Sequence, residues 1–230
     1  MRLDKYICQA TSLTRSQAKK VISQGRVTNG TNTIRNTTYK VTTNETIFLN
    51  DKALSIRGPR YIMLNKPQGY ICSTVDEQLP SVLNLLDVEK RKQLFIAGRL
   101  DADTTGLTLI TDDGQWSHQI TSPRKKCAKR YRVILADELT EDASIQFQQG
   151  IQLKSENQPC LPASLINISN TEVLLTISEG KYHQVKRMFA ALGNHVTALH
   201  REKIGEIELD PTLQLGEWRY LTDIEVQSIA

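Results

Sequence analysis

Gly58-Pro59 ends a stretch, Asp51 to Pro59 (DKALSIRGP), that has no apolar periodicity, and the chain reads differently on its two sides. Glycine followed by proline breaks both regular structures, so the stretch reads as a linker. Residues 1–58 form one expected domain and residues 59–230 the other, and 230 residues are enough chain for a core in each. Charge divides at the same place. Residues 1–59 hold ten Lys and Arg against three acids, a surplus of +7, whereas the whole chain is only +4 and the remainder therefore −3. So local an excess suits a polyanion, because each phosphate neutralised releases counterions. The bland alternative is a solvated basic face on a small domain.

Upstream of the break, Leu3, Ile7 and Ala10 share a helical face and leave Arg2, Lys5 and Gln9 outward. Thr14-Arg15-Ser16-Gln17 reads as a capping box that starts a second helix with the apolar stripe Ala18, Val21, Ile22. Gly25 suits the left-handed residue that closes it. Arg15, Lys19, Lys20 and Arg26 gather on the exposed side and, with Arg2 and Lys5, are the candidate nucleic-acid contacts of this part. Val27-Thr28 and Thr33-Ile34 flank Asn29-Gly30, which predicts a hairpin.

Downstream, strands are expected at 61–65, 94–97, 107–111, 130–135, 164–168, 173–177 and 196–199. Helices are expected over 140–149, over 183–192 and after the capping box Thr222-Asp223-Ile224-Glu225. The irregular spacing, without long βα repeats, predicts an α+β fold with a mixed or largely antiparallel sheet.

Several classes are excluded. Mean hydropathy is −0.37, and no apolar run approaches the ~20 residues needed to span a bilayer. The opening MRLDKYICQATSLTRS has an early acid and no apolar block, unlike a signal peptide, so a soluble cytoplasmic protein without membrane contact is expected. Cys8, Cys72, Cys127 and Cys160 are far apart and the four histidines complete no ligand pattern. Buried free thiols are expected, with no metal and no disulfide framework.

Three segments look chemical. Gly98 to Leu107 (GRLDADTTGL) places two carboxylates, two threonines and two glycines between apolar strands, as an exposed catalytic loop or a plain polar turn would. Arg124 to Arg132 (RKKCAKRYR) sets cations beside one aromatic, as nucleic-acid contacts do, though a charged strand entrance looks the same. In Ser178 to Met188 (SEGKYHQVKRM), a helix from His183 would bury Val185, Met188, Phe189 and Leu192. Lys186 and Arg187 then leave on flanking faces, where one can meet a carboxylate from another loop, while His183 by itself reads as structural.

Read together, RLDKYI and SQAKKVISQGRVTNG resemble the S4 RNA-binding domain. LNKPQGYICS, GRLDADTTGL, KRYRV and GKYHQVKRMFAALGNHV, in that order, resemble the pseudouridine synthases, most closely the S4-fused branch that modifies ribosomal RNA. The resemblance covers essentially the whole chain. It implies isomerisation of uridine to its C5-glycoside without a cofactor, with the RLD aspartate, Asp101, as the catalytic carboxylate. Attack at C1′, attack at C6 and removal of the 2′ hydrogen all remain open routes, and each wants the carboxylate ionised. By motif position Lys186 is the cation that keeps it so, where arginine is frequent elsewhere, and Tyr131 is the stacking partner of the uracil. Arg99, Thr104, Thr105 and Lys129 are the expected substrate contacts, and Asp103 reads as loop-shaping. Gly98 stands where the broad family often has histidine, which leaves open how the extruded base's place is filled.

The implied substrate is small-subunit ribosomal RNA or its assembly ribonucleoprotein, with one target expected at position 516, and a monomeric enzyme. The rival readings are a non-catalytic RNA-binding assembly factor and the same chemistry on large-subunit or transfer RNA. A glycoside hydrolase would want two separated carboxylates, and Asp101 and Asp103 are too close in sequence.

Overall fold

Two units, Met1–Pro59 and Arg60–Ala230, each close on their own core. The structure, a computed structural model, describes the chain except Ser12, Thr43, Arg57 and Ala230. Arg57, counted above in the basic surplus and the linker, lies outside the described residues.

In the first unit, helices α1 (Leu3–Ala10) and α2 (Arg15–Ser23) pack on a small antiparallel sheet. Its strands are β1 (Val27–Thr28), β2 (Ile47–Leu49) and β3 (Lys52–Leu54). The capping box forms: Gln17 N donates to Thr14 Oγ1 at 3.3 Å, and Thr14 N donates to Gln17 Oε1 at 2.9 Å. Leu3, Ile7, Ala18, Val21, Ile22, Val27 and Ile47 make the core, joined by Ile34 and Val41. Two details differ from expectation. Asn29-Gly30 does turn the chain, but the second arm supplies only a bridge, Thr28 to Thr33, and β1 takes β2 as its strand partner. The start of the presumed linker is β3, because Asn50 and Asp51 both adopt left-handed φ (50° and 63°) and fold β2 back on itself.

The second unit is built on a mixed nine-stranded sheet, the α+β arrangement expected. In chain order it contains β4 (Tyr61–Lys66), β5 (Phe95–Ala97), β6 (Thr105–Thr111), α3 (Gly114–Thr121), β7 (Lys129–Leu135), α4 (Ala143–Gln149) and β8 (Ser164–Asn167). These are followed by β9 (Glu172–Ile177), α5 (Gln184–Ala191), β10 (Val196–Ile204), β11 (Ile207–Glu208), β12 (Trp218–Tyr220) and α6 (Asp223–Gln227). The strand order is β12-β4-β6-β10-β7-β9-β8, with β5 on β6 and β11 on β10. Among the described strand pairs, only β6 and β10 run parallel.

Both faces are covered, which is why β4 and β6 read as nearly continuous apolar runs. On one face Ile62, Leu64, Ile110, Val133 and Leu175 pack with Phe147 of α4 and Met188 and Phe189 of α5. On the other, Met63, Leu107 and Leu109 pack with Trp116 and Ile120 of α3. Helix α3 was not anticipated from sequence. It has only two large apolar side chains, and its start is set by Asp113, whose Oδ1 accepts from Gln115 N and Trp116 N. Strand β10 also runs five residues further than expected, through the charged His200-Arg201-Glu202-Lys203.

The β6 edge changes partner along its length, and that change positions the site. Thr105 and Gly106 pair with β10, whereas Leu109 to Thr111 pair with β5. The segment joining β5 to β6, Gly98–Thr104, emerges at that junction. Gly106 lets the two backbones meet there. Its φ is +104°, and a Cβ would lie 2.3 Å from the Arg201 carbonyl oxygen.

Candidate active site

A cleft of about 850 Å³ opens over the junction, lined by Asp101, Tyr131, Lys186, Arg99, Thr104 and Lys129 among others. Thus, of the candidates in this unit, only Thr105 stays outside the lining. Its Oγ1 lies 2.8 Å from His200 Nδ1, across to β10.

Two buried cations hold the loop, and neither has a carboxylate partner among the described residues. Arg201, 1% exposed, fills the gap in the β6 edge. Its Nε donates to the Leu107 carbonyl at 2.8 Å, and its Nη2 and Nη1 donate to those of Gly98 and Arg99 at 2.9 and 3.3 Å. Lys66, at the end of β4 and fully buried, donates to the carbonyls of Thr104 (2.8 Å), Pro67 (3.0 Å) and Ala102 (3.3 Å). Burial pushes the Lys66 ammonium below its ordinary value, with Cys72, Asp103 and Asp101 opposing that push. The loop is clamped at both ends; between the clamps Leu100 turns into the core, its amide donating to Cys72 Sγ at 3.3 Å, and the half-buried Asp101 lines the cleft.

Across the cleft, α5 presents its basic face. Lys186 Nζ stands 3.2 Å from Asp101 Oδ2 and 2.6 Å from Asp103 Oδ1. Burial raises the Asp103 carboxyl, but the Lys186 hydrogen bond and charge outweigh it, so the group sits below the usual carboxylate value. The Lys186 ammonium is correspondingly held above its own ordinary value despite burial. Asp103 is therefore more than loop-shaping, since it shares the cation. His183 lines the same cleft, with Nε2 3.5 Å from Asp101 Oδ1. Arg187 leaves the other way, to Glu156 at 3.0 Å.

Tyr131 is buried on β7, directly opposite Arg201 of β10, whose Nη1 is 3.5 Å from its hydroxyl. The guanidinium carbon lies 5.9 Å from the ring centre. Leu100, Ile177, Val185 and Leu199 supply apolar wall around it. Thr104 is buried, and its hydroxyl has no hydrogen-bond partner among the described residues.

The basic stretch 124–132 divides in two. Arg130 pairs with Glu202 and Glu208, Arg132 with Glu172 and Glu202, and Lys129 is buried with Nζ on the Cys127 carbonyl at 2.9 Å. Arg124, Lys125 and Lys126 are exposed on a turn that follows the cleft-lining Ser122 and Pro123. In the first unit, Arg2 and Arg15 hold a fully buried carboxylate, Asp4, at 2.9 and 3.2 Å, and Arg26 is tied to Asn50. Lys5, Lys19 and Lys20 are exposed and unpaired among the described residues. All four thiols are free; Cys72 and Cys160 are buried as expected, while Cys8 and Cys127 are half-buried.

Sequence reasoning missed Lys66 and Arg201 as organisers of the loop. Lys66-Pro67 lay inside a quoted motif, and Arg201 lay in a charged run that looked like a strand end.

A mixed sheet that clamps an RLD carboxylate loop opposite a lysine of a facing helix, with a buried tyrosine beside it, defines the class: an RNA pseudouridine synthase. Comparison with known proteins agrees. Residues 60–191 match the RNA pseudouridylate synthase family and residues 1–47 the S4 domain. The ribosomal small subunit pseudouridine synthase A of Vibrio cholerae is 53% identical across 100% of this chain and 99% of its own. That of Escherichia coli is 51% identical across 100% of both. A crystal structure of a pseudouridylate synthase, 47% identical, superposes with a TM-score of 0.73 and covers both chains fully. The chain belongs to the RNA pseudouridylate synthase family.

Proposed function

We propose that this enzyme converts one uridine of small-subunit ribosomal RNA, at position 516, to pseudouridine, with Asp101 as its catalytic carboxylate. The observation that carries the reading is the placement of Lys186 between Asp101 and Asp103 at the cleft beside Tyr131. The names of the full-length relatives support the small-subunit target.

The reaction breaks the N1–C1′ bond, turns the uracil, and forms C5–C1′. The C5 proton leaves and N1 regains one, so atoms balance without a redox partner. Asp101 stands at the sugar, and the Lys186 ammonium, 3.2 Å from its Oδ2, supplies the facing positive charge. Tyr131 offers the face on which the freed base is held. The apolar wall keeps water from the opened glycosidic bond. Arg99, exposed and two residues before Asp101, is placed for a flanking phosphate, and Thr104 and Lys129 line the cleft. Residues 1–58 act as the RNA-binding part through backbone charge, while RNA shape selects the site.

The test is purified protein with unmodified small-subunit ribosomal RNA, alone and with its ribosomal proteins, mapped by carbodiimide-dependent primer-extension stops. One new stop, absent with Asp101→Asn, is expected. No stop on any substrate, with salt-sensitive binding intact in both proteins, would sink the reading.

A further inference from the structure

Tyr182 is a large aromatic that the reaction described above does not use, and it is 74% exposed at the cleft lining. One face of its ring is taken by His183, with centroids 3.8 Å apart and planes at 19°. His183 in turn reaches Asp101. A continuous chain of contacts therefore runs from the Asp101 carboxylate through His183 to the stacked Tyr182 ring and its open face at the cleft.

The backbone holds this pair in place. Arg187 Nη1 donates to the Tyr182 carbonyl at 3.0 Å while Nη2 holds the Lys154 carbonyl at 2.7 Å and Glu156 anchors the guanidinium. Lys181 N donates to Gln184 Oε1 at 2.8 Å, and Gln184 Nε2 donates to Glu179. His183 takes a left-handed conformation (φ 47°) at the start of α5, unusual for a residue with a side chain. Such a conformation persists only where the surroundings enforce it, and it tends to mark functional sites. A lone exposed tyrosine needs no explanation. A tyrosine fixed at the mouth of a reaction cleft, with one face covered and the other open, has the form of a base-stacking platform.

We infer that Tyr182, backed by His183, is the stacking subsite for the unpaired nucleobase adjacent to the target uridine. This deepens the proposed function and rests on it. When the uridine is drawn to Asp101 and Tyr131, its neighbour loses its stacking partner at the cleft mouth, and the open Tyr182 face restores one. The subsite thereby holds the strand without demanding a particular base, since every base has a π-face.

The experiment uses the full chain and a small-subunit RNA fragment carrying 2-aminopurine either 5′ or 3′ to the target. Parallel fragments carry an abasic residue at the same positions. Wild type and Tyr182→Phe are expected to change the 2-aminopurine fluorescence at one of the two positions, and Tyr182→Ala to leave it unchanged. Tyr182→Ala should raise Kd and KM about tenfold, the equivalent of about 1.4 kcal/mol of stacking, with the smaller part of the loss in the saturating rate. Its unfolding midpoint should match wild type, because the ring buries little.

The abasic fragment should weaken wild type by the same factor and weaken Tyr182→Ala no further. Unchanged affinity in Tyr182→Ala, no fluorescence response at either position, or additive losses on the abasic fragment would each overturn the subsite. The binding arm needs no turnover. A wild type that binds the fragment but converts no uridine overturns the target reading and leaves the subsite to be judged by Kd.

Discussion

Lys66 Nζ donates to the Thr104 carbonyl at 2.8 Å from a position with no solvent exposure and with no ion-pair partner among the described residues. A buried cation satisfied only by carbonyls is costly to place, and here it organises the backbone on one side of Asp101. Lys66→Met keeps the chain length but leaves the Pro67, Ala102 and Thr104 carbonyls short of a donor. Relief from burying the charge offsets part of that loss, so denaturant unfolding should show about 1–3 kcal/mol of destabilisation at most. The turnover rate should fall further, about 100-fold, because the loop loses its fixed geometry. Equal losses in stability and rate, with rate recovered on cooling, would mean that Lys66 only holds the fold.

Gly106 gives a sharper test of the junction. A methyl there would stand 2.3 Å from the Arg201 carbonyl oxygen and 2.7 Å from its amide nitrogen, both backbone atoms that side-chain rotation cannot move. Gly106→Ala also strains a φ of +104°. The expected cost is about 3 kcal/mol or more in urea unfolding, with β6 and β10 losing amide protection together. A loss below about 1 kcal/mol would show that the parallel pairing of these strands is not as tight as described.

At the other end of the chain, Arg219 grips Glu225 through both oxygens at 2.8 Å and Asp210 at 2.7 Å. The Arg219 hydrogen bond holds the Glu225 carboxyl down at about 2, against an ordinary 4.5. Thr212 and then Arg219 hold Asp210 at about 2 as well. Groups with depressed values stabilise the fold above their unfolded values and lose that contribution as pH falls through the folded ones. The C-terminal segment should therefore be indifferent to pH above about 4.5 and loosen between about 4 and 2. Trp116, whose Nε1 donates to the Val226 carbonyl at 3.0 Å, reports it by fluorescence. Glu225→Gln should show the loosened signal already at neutral pH.

Much of this architecture is legible in the sequence wherever one face of an element is apolar and the other is not. The capping box at Thr14, the strands β4, β7 and β9 and the amphipathic α5 all follow from local pattern. What fails is telling in each case. The second half of β10 carries His200, Arg201, Glu202 and Lys203, which reads as a loop. It is a strand because Arg201 is consumed by loop carbonyls and Glu202 by Arg130 and Arg132 on β7. Asn50-Asp51 lacks the glycine that usually signals a tight hairpin, so β3 looked like linker. Asp101 and Lys186 are separated by 85 positions, and periodicity cannot pair residues at that distance. The helical pattern allows Lys186 or Arg187 to meet a carboxylate from another loop, and only the motif resemblance names the pair. His183, alone in its segment, reads as structural until the fold brings Asp101 to it.

The first unit makes a separable prediction about charge. Lys19 and Lys20 lie on α2, exposed and without partners among the described residues, whereas Arg2 and Arg15 clamp the buried Asp4. Burial raises the Asp4 carboxyl, but the two guanidiniums outweigh it and leave the group below its ordinary value. Replacing Lys19 and Lys20 together by alanine should leave stability within about 0.5 kcal/mol of wild type. It should flatten the slope of log Kobs against log salt by about 1.5, as the loss of two phosphate contacts requires. Arg2→Ala should instead lower stability, because it strips a partner from a buried anion. An unchanged slope in the double variant would remove this face from the RNA footprint.

Under the proposed function, the Lys186 bridge bounds the pH range of the reaction. The Asp103 carboxyl lies below its ordinary 3.8, so the pair forms above that value and is lost only as pH falls through the lower folded one. The Lys186 ammonium lies above its ordinary 10.5, so the pair survives on the alkaline side as well. Between about pH 4 and 10 the bridge is intact, and it should put no limb on the single-turnover profile in that range. In Lys186→Met, Asp103 keeps the upward push of burial and loses the cation that opposed it. Its acid limb must therefore move to higher pH, while the plateau rate falls about 100-fold or more. Lys186→Arg restores the charge but brings a planar fork in place of a point, so it should recover the wild-type limb before it recovers the plateau. A Met variant with the wild-type limb and a lowered plateau would show that Lys186 acts on the substrate and not through the carboxylates.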